Sequence, residues 1–417
     1  PPRSTLFPYT TLFRSQDKLV PGARYARGLV RHQQKRYAEA IEDLEALLAT
    51  KPEGTQRSDA RYALALCQVG LAKWDEAVAT LESIVKDDAQ YAGTDKVLYE
   101  LAWAHKSRGK DALAAEAFAR LAEKHPQSAL AAECHFHVGE AAYQQGEFLR
   151  AAKAYLLAIE KARLSPLGEK AAHKLGWAYF RAEDYARAAE AFAAQRKQWP
   201  KGASFEDGTF LQAECLLKQE KYAEALKLYE AVDKPTGKDF GVLALLHGGQ
   251  AAAQAGQWDK SRKMLEEAAQ RFADSDFLPE ILYEQGWALQ NLGQKDEALK
   301  VYEQVVAKTA REAAARAQFM IGEIQFAHQQ HAEAVKSFFK VAYGYSYPKW
   351  QAEATYESGR CFEIMKMKSK AQRQYEELIQ KFPKSDRAPA AREALERLKG
   401  AGGSGDEGSG MGRHAPS

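Results

Sequence analysis

Residues 175–200 read LGWAYFRAEDYARAAEAFAAQRKQWP, and the spacing of residue types within this stretch decides the fold. The small residue Gly176 is followed nine residues later by the aromatic Tyr185. Ala188 follows three residues after that, Phe192 four residues further on, and Pro200 closes the stretch. This order of small, aromatic, small and large apolar residues predicts two antiparallel helices joined by a short turn, with the proline ending the second helix.

The same pattern recurs along the chain at a nearly constant interval. Alignment on the small residue places anchors at Gly28, Ala65, Ala102, Gly139, Gly176, Ala213, Gly249, Gly286, Gly322 and Gly359. Successive anchors are 36 or 37 residues apart, which indicates ten structural repeats. One such unit cannot bury its own apolar surface, whereas stacked units share a continuous core.

Three positions define each repeat, whose first and second helices we name helix A and helix B. The anchor on helix A faces a small residue on helix B, so that the two backbones can approach closely; this residue is Ala40, Ala77, Ala114, Ala151, Ala188, Ala225, Ser261, Ala298, Ala334 or Ala371. An aromatic residue is predicted to begin helix B and cover the turn at Tyr37, Trp74, Phe148, Tyr185, Tyr222 and Trp258. The large apolar residue four positions after the alanine is expected to pack on the next repeat.

Composition and charge favour a helical protein and give no support for a nucleic-acid-binding or membrane-spanning one. Alanine is abundant, and Glu, Lys, Leu, Arg and Gln, which favour helices, fill most other positions. Lys and Arg number 59 against 56 Asp and Glu, so the charge balance gives no case for a nucleic-acid partner. No apolar run reaches the length of a transmembrane helix. The four cysteines fall mostly on non-adjacent repeats, which predicts small buried apolar residues rather than disulfides: Cys67, Cys134, Cys215 and Cys361.

The two ends of the chain differ from the repeats. Residues 1–15, PPRSTLFPYTTLFRS, contain no alanine and no helical period, and they resemble translated sequencing-adapter DNA. We therefore interpret residues 1–20 as a non-native or disordered leader and expect the true N-terminus to be missing. The Gly/Ser-rich residues 400–417 are predicted to be disordered.

Residues 21–388 resemble the tetratricopeptide repeat family, on the anchor, alanine and aromatic positions given above. The resemblance implies an all-α, right-handed α-solenoid of about ten repeats, and residues 386–399 are predicted to form a C-terminal capping helix. The period exceeds the usual 34 residues, and junctions such as KHPQSALAAE and KFPKSDRAPAA are similar to a subgroup of bacterial envelope proteins. This subgroup includes the outer-membrane assembly lipoprotein and the periplasmic Tol-Pal-associated protein.

The resemblance also implies a binding site, because ligand peptides in this family usually lie along the A helices on the concave face. Two rows flank the anchors on one face of helix A, one three residues before the anchor (the −3 row) and one a single residue after it (the +1 row). Together they predict an aromatic and acidic groove that binds a protein or peptide partner through Tyr99, Trp103, Phe136, Glu140, Trp177, Phe210, Glu214, Tyr283, Trp287, Phe319, Glu323 and Tyr356. The alternative is that these residues, above all those of the −3 row, pack one repeat on the next.

Other sites receive little support from the sequence. The aromatic residues disfavour the clamp of Lys, Asn and Arg that binds a C-terminal carboxylate in some members of the family. Cys134, His135 and His137, and likewise His328 and His331, lack the converging ligand pairs or the HExxH spacing of a metal site. No nucleotide-binding or hydrolase motif occurs, so we predict no catalytic residues, no metal and no cofactor.

The sequence thus predicts a non-enzymatic scaffold for protein–protein interaction, located in the periplasm or at the outer membrane of a bacterium, in envelope assembly or maintenance. A cytoplasmic adaptor whose N-terminal effector domain is missing is the alternative. A self-assembling structural solenoid is a third possibility.

Overall fold

The computed structural model describes residues 21–232 and 240–400, and α-helix is the only regular secondary structure in these ranges. The leader predicted for residues 1–20 and most of the predicted tail, residues 401–417, lie outside the described residues. Two compact units divide the chain, Pro1–Cys215 and Leu216–Ser417.

Unit 1 is a series of antiparallel A–B helix pairs in which odd numbers denote helix A and even numbers helix B. Its helices are α1 (Pro21–Gln33), α2 (Tyr37–Leu48), α3 (Gly54–Gly70), α4 (Trp74–Asp87), α5 (Thr94–Ser107), α6 (Asp111–Lys124), α7 (Ala131–Gln144), α8 (Phe148–Ala162), α9 (Pro166–Arg181), α10 (Tyr185–Gln198) and α11 (Phe205–Lys218), whose last turn crosses the division.

Unit 2 continues the alternation and ends in one further helix. Its helices are α12 (Tyr222–Ala231), α13 (Phe240–Gln254), α14 (Trp258–Arg271), α15 (Leu278–Asn291), α16 (Lys295–Lys308), α17 (Glu312–Ala327), α18 (His331–Gly344), α19 (Pro348–Ile364), α20 (Lys368–Lys381) and α21 (Ala388–Gly400). The predicted aromatic starts of helix B are confirmed, since Tyr37, Trp74, Phe148, Tyr185, Tyr222 and Trp258 each begin their helix.

The core of a repeat forms where the large apolar residue of helix B covers the anchor of helix A. A methyl group added to Gly176 would lie 2.4 Å from the ring of Phe192, and one added to Gly286 would lie 2.5 Å from that of Tyr302. Both rings are fully buried. The anchor must therefore be small because the large residue lies over its own helix A. The expectation that this residue packs on the next repeat is also confirmed, since the ring of Phe118 stacks on that of His137 in the following helix A with centroids 4.8 Å apart.

The turn between the helices has one backbone conformation in every repeat. The seventh residue after the anchor has positive φ in all ten repeats: Lys35, Ala72, Gly109, Gly146, Glu183, Glu220, Gly256, Gly293, Gln329 and Lys366. After α9, the N–H of Asp184 donates to the carbonyl of Tyr179 at 2.9 Å, as in a helix end with a left-handed residue. A turn of three residues thus reverses the chain after each helix A.

Helix α21 covers the apolar end of the last repeat. Its Ala391 and Leu395 pack in one cluster with Tyr375 and Leu378 of α20. Its charged side faces outward, and the Arg397 guanidinium donates to the Glu363 carboxylate at 3.0 Å. The helix therefore has the apolar inner face and polar outer face that a capping helix requires.

Candidate functional site on the A helices

The A helices of successive repeats form a face in each unit. In unit 1, α1 contacts α3, α3 contacts α5, and α7 contacts α9; in unit 2, α13, α15, α17 and α19 contact one another in the same order. Within the described ranges, the B helices of neighbouring repeats make no contacts of comparable extent. Side chains of adjacent A helices can therefore act together on one ligand.

The +1 row remains accessible along both units. None of its ten residues is buried, and they are Leu29, Leu66, Trp103, Glu140, Trp177, Glu214, Gln250, Trp287, Glu323 and Arg360. The core beside each of them is completed by the anchor and the large residue of helix B. The +1 row thus lies at the edge of the core, and Trp103 packs against the buried ring of Phe118, with centroids 5.8 Å apart.

The −3 row behaves differently, because half of its side chains are buried. Phe136, Phe210, Leu246, Tyr283 and Phe319 are each at most 9% exposed. Phe136 lies 5.8 Å from Tyr155 and Phe319 lies 5.4 Å from Phe338, ring centroid to ring centroid, so these rings extend the core of their own repeat.

The burial corrects part of the predicted groove. A partner could not contact Phe136, Phe210, Tyr283 or Phe319 without displacing core packing, and these four rings support the surface from behind. Tyr99 and Tyr356 are half-buried and reach the A-helix face. Partner contact at these two and at the predicted +1 residues stays a prediction.

Aromatic and acidic groups alternate across α5 and α7 in unit 1. The Tyr99 hydroxyl donates to Glu133 Oε1 at 2.9 Å. Trp103 contacts the ring of His137 edge to face, with centroids 5.0 Å apart. Burial lowers the pKa of His137, so the neutral ring is favoured beside the indole.

Glu140 is engaged from two directions. Lys174 of α9 lies 3.1 Å from its carboxylate, and the hydroxyl of Tyr155 donates to the same carboxylate from α8. Burial, followed by the hydrogen bond to Glu140, raises the pKa of Tyr155, so the phenol keeps its proton. Glu140 is therefore largely satisfied within the chain and has less capacity to select a basic ligand than the sequence suggested.

The remaining residues of unit 1 extend this surface. The indole N–H of Trp177 donates to Nε2 of His173 at 3.1 Å, which fixes the orientation of its ring. Glu214 is half-buried on α11. The ring nitrogen of His173 that accepts this bond must be unprotonated, and burial lowers the pKa of His173 accordingly.

In unit 2, the A-helix face contains charged groups that the sequence did not single out. The guanidinium carbon of Arg316 lies 3.8 Å from the ring centroid of Tyr283. The buried Glu284 accepts from Gln250 Nε2 at 3.2 Å, and burial raises its pKa. Trp287 meets Trp258 edge to face, with centroids 5.1 Å apart. The sequence contained a signal for these buried carboxylates, since Glu284 and Glu357 both stand two residues before an anchor glycine.

Glu323 differs from the other carboxylates of the +1 row. Its Oε1 is buried and has no hydrogen-bond partner among the described residues. Burial, and then the neighbouring Glu357, raises the pKa of Glu323 to about 7, although Arg360 and Arg387 oppose the shift. Arg360 is already bound to Glu357 at 2.6 Å. Glu323 thus carries a shielded and unsatisfied oxygen, which accounts for the raised pKa of this carboxyl.

Metal sites and membrane-spanning helices are two other features that the described residues could contain. Across residues 21–232 and 240–400, no group of His, Cys, Asp and Glu side chains is arranged to hold a metal ion. No helix in these ranges is long and apolar enough to span a bilayer. The four cysteines are buried, as predicted.

Comparison with known proteins identifies the repeats. Sequence profiles described as tetratricopeptide repeat match residues 31–94, 96–128, 173–239, 243–275, 283–349 and 353–385, which together make up well over half of the chain. No curated protein sequence is significantly similar to the chain.

Solved structures with a similar arrangement of helices are distant. MamA (residues 41 to the end) from Desulfovibrio magneticus RS-1 is 17% identical, covers 42% of this chain and 93% of its own, and has a TM-score of 0.36. The APC/C hetero-tetramer Cut9–Hcn1 is 14% identical, covers 91% of this chain and 90% of its own, and has a TM-score of 0.37. A tetratricopeptide repeat protein from Parabacteroides merdae ATCC 43184 is 15% identical, covers 64% of this chain and 98% of its own, and has a TM-score of 0.38.

Proposed function

The chain belongs to the tetratricopeptide repeat family, and we propose that it is a non-enzymatic scaffold that binds a peptide or partner domain along the +1 row of its A helices. One observation carries this proposal: no member of the +1 row is buried, although three of the ten are tryptophans. A tryptophan that stays partly accessible provides a large contact area at low ordering cost, which is typical of binding hot spots.

The chemistry of the row indicates the kind of ligand. In unit 1, Trp103 and Trp177 flank Glu140, so aromatic or aliphatic side chains of a partner would meet the indoles. In unit 2, Trp287 would meet side chains of the same kind. We therefore expect a ligand that is rich in aromatic or aliphatic side chains.

Selection of peptides from a random displayed library on the immobilised full chain would test the proposal. Enriched peptides should lose affinity at least tenfold for Trp177→Ala or Trp287→Ala, while far-ultraviolet circular dichroism shows unchanged helicity. Trp74→Ala is the matched control, because Trp74 begins helix B and lies outside the +1 row. Peptides that bind all variants equally would contradict the proposed surface, and lost helicity in the Trp177 or Trp287 variant would assign that residue to the fold.

We further propose that the scaffold acts in the bacterial cell envelope, in the periplasm or at the outer membrane. The period of 36–37 residues and the junctions between repeats support this location. The competing proposal is a cytoplasmic adaptor attached to an effector domain. The upstream gene sequence separates the two: a signal peptide with a lipid-attachment cysteine supports the envelope, and a catalytic domain supports the adaptor.

A further inference from the structure

Helix α8 in unit 1 carries an apolar patch on its outer side. Leu149, Leu156 and Leu157 are between 43% and 50% exposed, and Leu164, just after the helix end, is 70% exposed. The buried side of the same helix is formed by other residues, including Tyr155 and Ala158. These four residues, which we name the leucine patch, therefore contribute little to the core and expose apolar surface on one helix.

The leucine patch is peculiar to the fourth repeat. At the position of Leu156, six of the other nine repeats carry glutamate: Glu45, Glu82, Glu230, Glu266, Glu303 and Glu376. At the position of Leu149, the other nine carry only alanine, aspartate or serine. The repeat pattern alone thus does not demand leucine at either position, and the substitutions need a separate reason.

The four residues of the leucine patch are spaced symmetrically in the sequence about a point between Leu156 and Leu157. If a second copy of the helix lies antiparallel, with a two-fold axis between Leu156 and Leu157, then Leu156 of one copy faces Leu157 of the other. Leu149 of one copy then lies at the end of the other copy's helix, where Leu164 follows after Arg163. Such a self-complementary surface is what a two-fold symmetric dimer requires, since both subunits use the same patch.

Charge follows the same symmetry. Lys153 and Glu160 are exposed on the outer side of α8, and neither has an ion-pair partner in the part of the chain that the structure describes. In the antiparallel arrangement Lys153 of each copy faces Glu160 of the other, which gives two ion pairs across the axis. In a parallel arrangement like charges would face each other. The nearby Arg150 is already paired with Glu147 at 2.7 Å.

The neighbouring B helices leave room for a second copy. At the positions of Leu149 and Leu156, α6 has Ala112 and Ala119, and α10 has Ala186 and Ala193. The leucines of α8 therefore form a ridge between two rows of small side chains. A ridge flanked by small residues permits close approach of another helix.

From these observations we propose that α8 pairs antiparallel with α8 of a second copy of this chain, forming a homodimer through the leucine patch, Lys153 and Glu160. This interaction is additional to ligand binding on the A helices, because the patch lies on a B helix. One helix pair buries less than the roughly 1,600 Å² of a standard interface. The dimer is therefore expected to dissociate on dilution.

Sedimentation velocity of the full chain, from low micromolar to several hundred micromolar, tests the association. The expected result is a concentration-dependent shift from monomer to dimer for the parent chain, and monomer alone for Leu156→Glu. A monomer for the parent at every concentration would overturn the proposal. Circular dichroism shows whether each variant keeps its helicity, which is expected because the altered side chains are exposed.

Charge reversal tests the pairing itself. Lys153→Glu and Glu160→Lys should each weaken association at least tenfold, because each places like charges opposite one another. The double variant K153E/E160K restores opposite charges and should recover dimerisation. Equal association by the parent and both single variants would contradict the pairing, and so would failure of the double variant to recover.

Disulfide cross-linking tests the direction of the helices. An equimolar mixture of Lys153→Cys and Glu160→Cys proteins should form an interchain disulfide under mild oxidation, whereas each variant alone should not. The native cysteines are buried and provide the background measured with the parent chain. Cross-linking of each variant with itself, without the mixed product, would indicate parallel pairing and overturn the antiparallel proposal.

Discussion

At the scale of the residue, the turn after each helix A requires a positive φ but does not require glycine. All ten repeats place positive φ at the same position, but only four of them use glycine there. A left-handed conformation costs residues with a side chain roughly 1–2 kcal/mol. The other six repeats therefore carry a backbone strain that their packing must offset.

At this position, introducing a glycine should stabilise the chain and removing one should destabilise it. Glu183→Gly is expected to raise the free energy of unfolding by about 1 kcal/mol, because glycine adopts the conformation without strain. Gly146→Ala should lower it by a similar amount, and an added methyl group there meets no atom within 4 Å, so the effect isolates the backbone. Urea denaturation followed by circular dichroism measures both, and changes of the same sign would contradict the account.

The raised pKa of Glu323 predicts a pH-dependent stability. The folded chain holds this proton up to about pH 7, whereas the unfolded chain releases it near pH 4.5. The free energy of unfolding should therefore fall as pH rises through this range and remain low above it. Glu323→Gln should raise it by about 2–3 kcal/mol at pH 8 and change it little at pH 4.

Denaturation at the two pH values provides the measurement for Glu323. Glu303→Gln is the matched control, since Glu303 is exposed on the neighbouring α16. A stabilisation by Glu323→Gln that is equal at both pH values would show that proton binding at Glu323 is not its cause.

At the scale of the element, the helix pair depends on contact between the anchor and the large residue of helix B. In repeat 5 these are Gly176 and Phe192, and the ring leaves no space for a methyl group. Three other repeats have alanine as anchor, at Ala65, Ala102 and Ala213. The spacing of the two helices is therefore adjusted repeat by repeat.

Gly176→Ala should destabilise the chain by about 1–3 kcal/mol, because the buried ring of Phe192 must shift. G176A/F192L should recover part of the loss, since the smaller side chain relieves the overlap, as in repeat 2, where Ala65 occurs with Leu81. Thermal unfolding compares the variants with Phe192→Leu alone. A double variant no more stable than Gly176→Ala would refute the steric explanation.

The sequence predicted the helix pairs and the first residues of helix B, because these depend on spacing along one chain. It predicted that the large residue of helix B packs on the next repeat, but not that this residue also covers the anchor of its own helix A. Helix B lies between its own helix A and the next one, and linear spacing is the same for both. The −3 row shows a similar limit: Tyr99 is half-buried and Tyr283 is buried, although both are tyrosines at one position of the repeat.

At the scale of the whole molecule, stability in an array depends on each repeat having a neighbour. The last repeat has α21 instead, which covers Tyr375 and Leu378. Ending the chain after Asp386 removes this helix and exposes part of that cluster to water. The free energy of unfolding of the terminal repeat should fall by several kcal/mol, given about 25 cal/mol per Å² of apolar surface exposed.

Hydrogen exchange measured by mass spectrometry can localise this effect. Protection should decrease most in α19 and α20 and remain nearly unchanged in unit 1. The matched control is Arg397→Ala, which removes an exposed ion pair with Glu363 and should alter protection only slightly. Undiminished protection of α20 in the shortened chain would mean that the helix does not stabilise the array.

The four buried cysteines can report on local opening of the chain. They lie in the second, fourth, sixth and tenth repeats, and burial raises the pKa of the Cys67 thiol to about 11 and those of the other three to about 12. A protonated thiol without access to solvent reacts with a thiol reagent only when its surroundings open. In variants that retain one cysteine each, the rate of thiol modification would therefore report how often that part of the array opens. Measured with a bound ligand, it would show whether the ligand slows opening locally or along the whole chain.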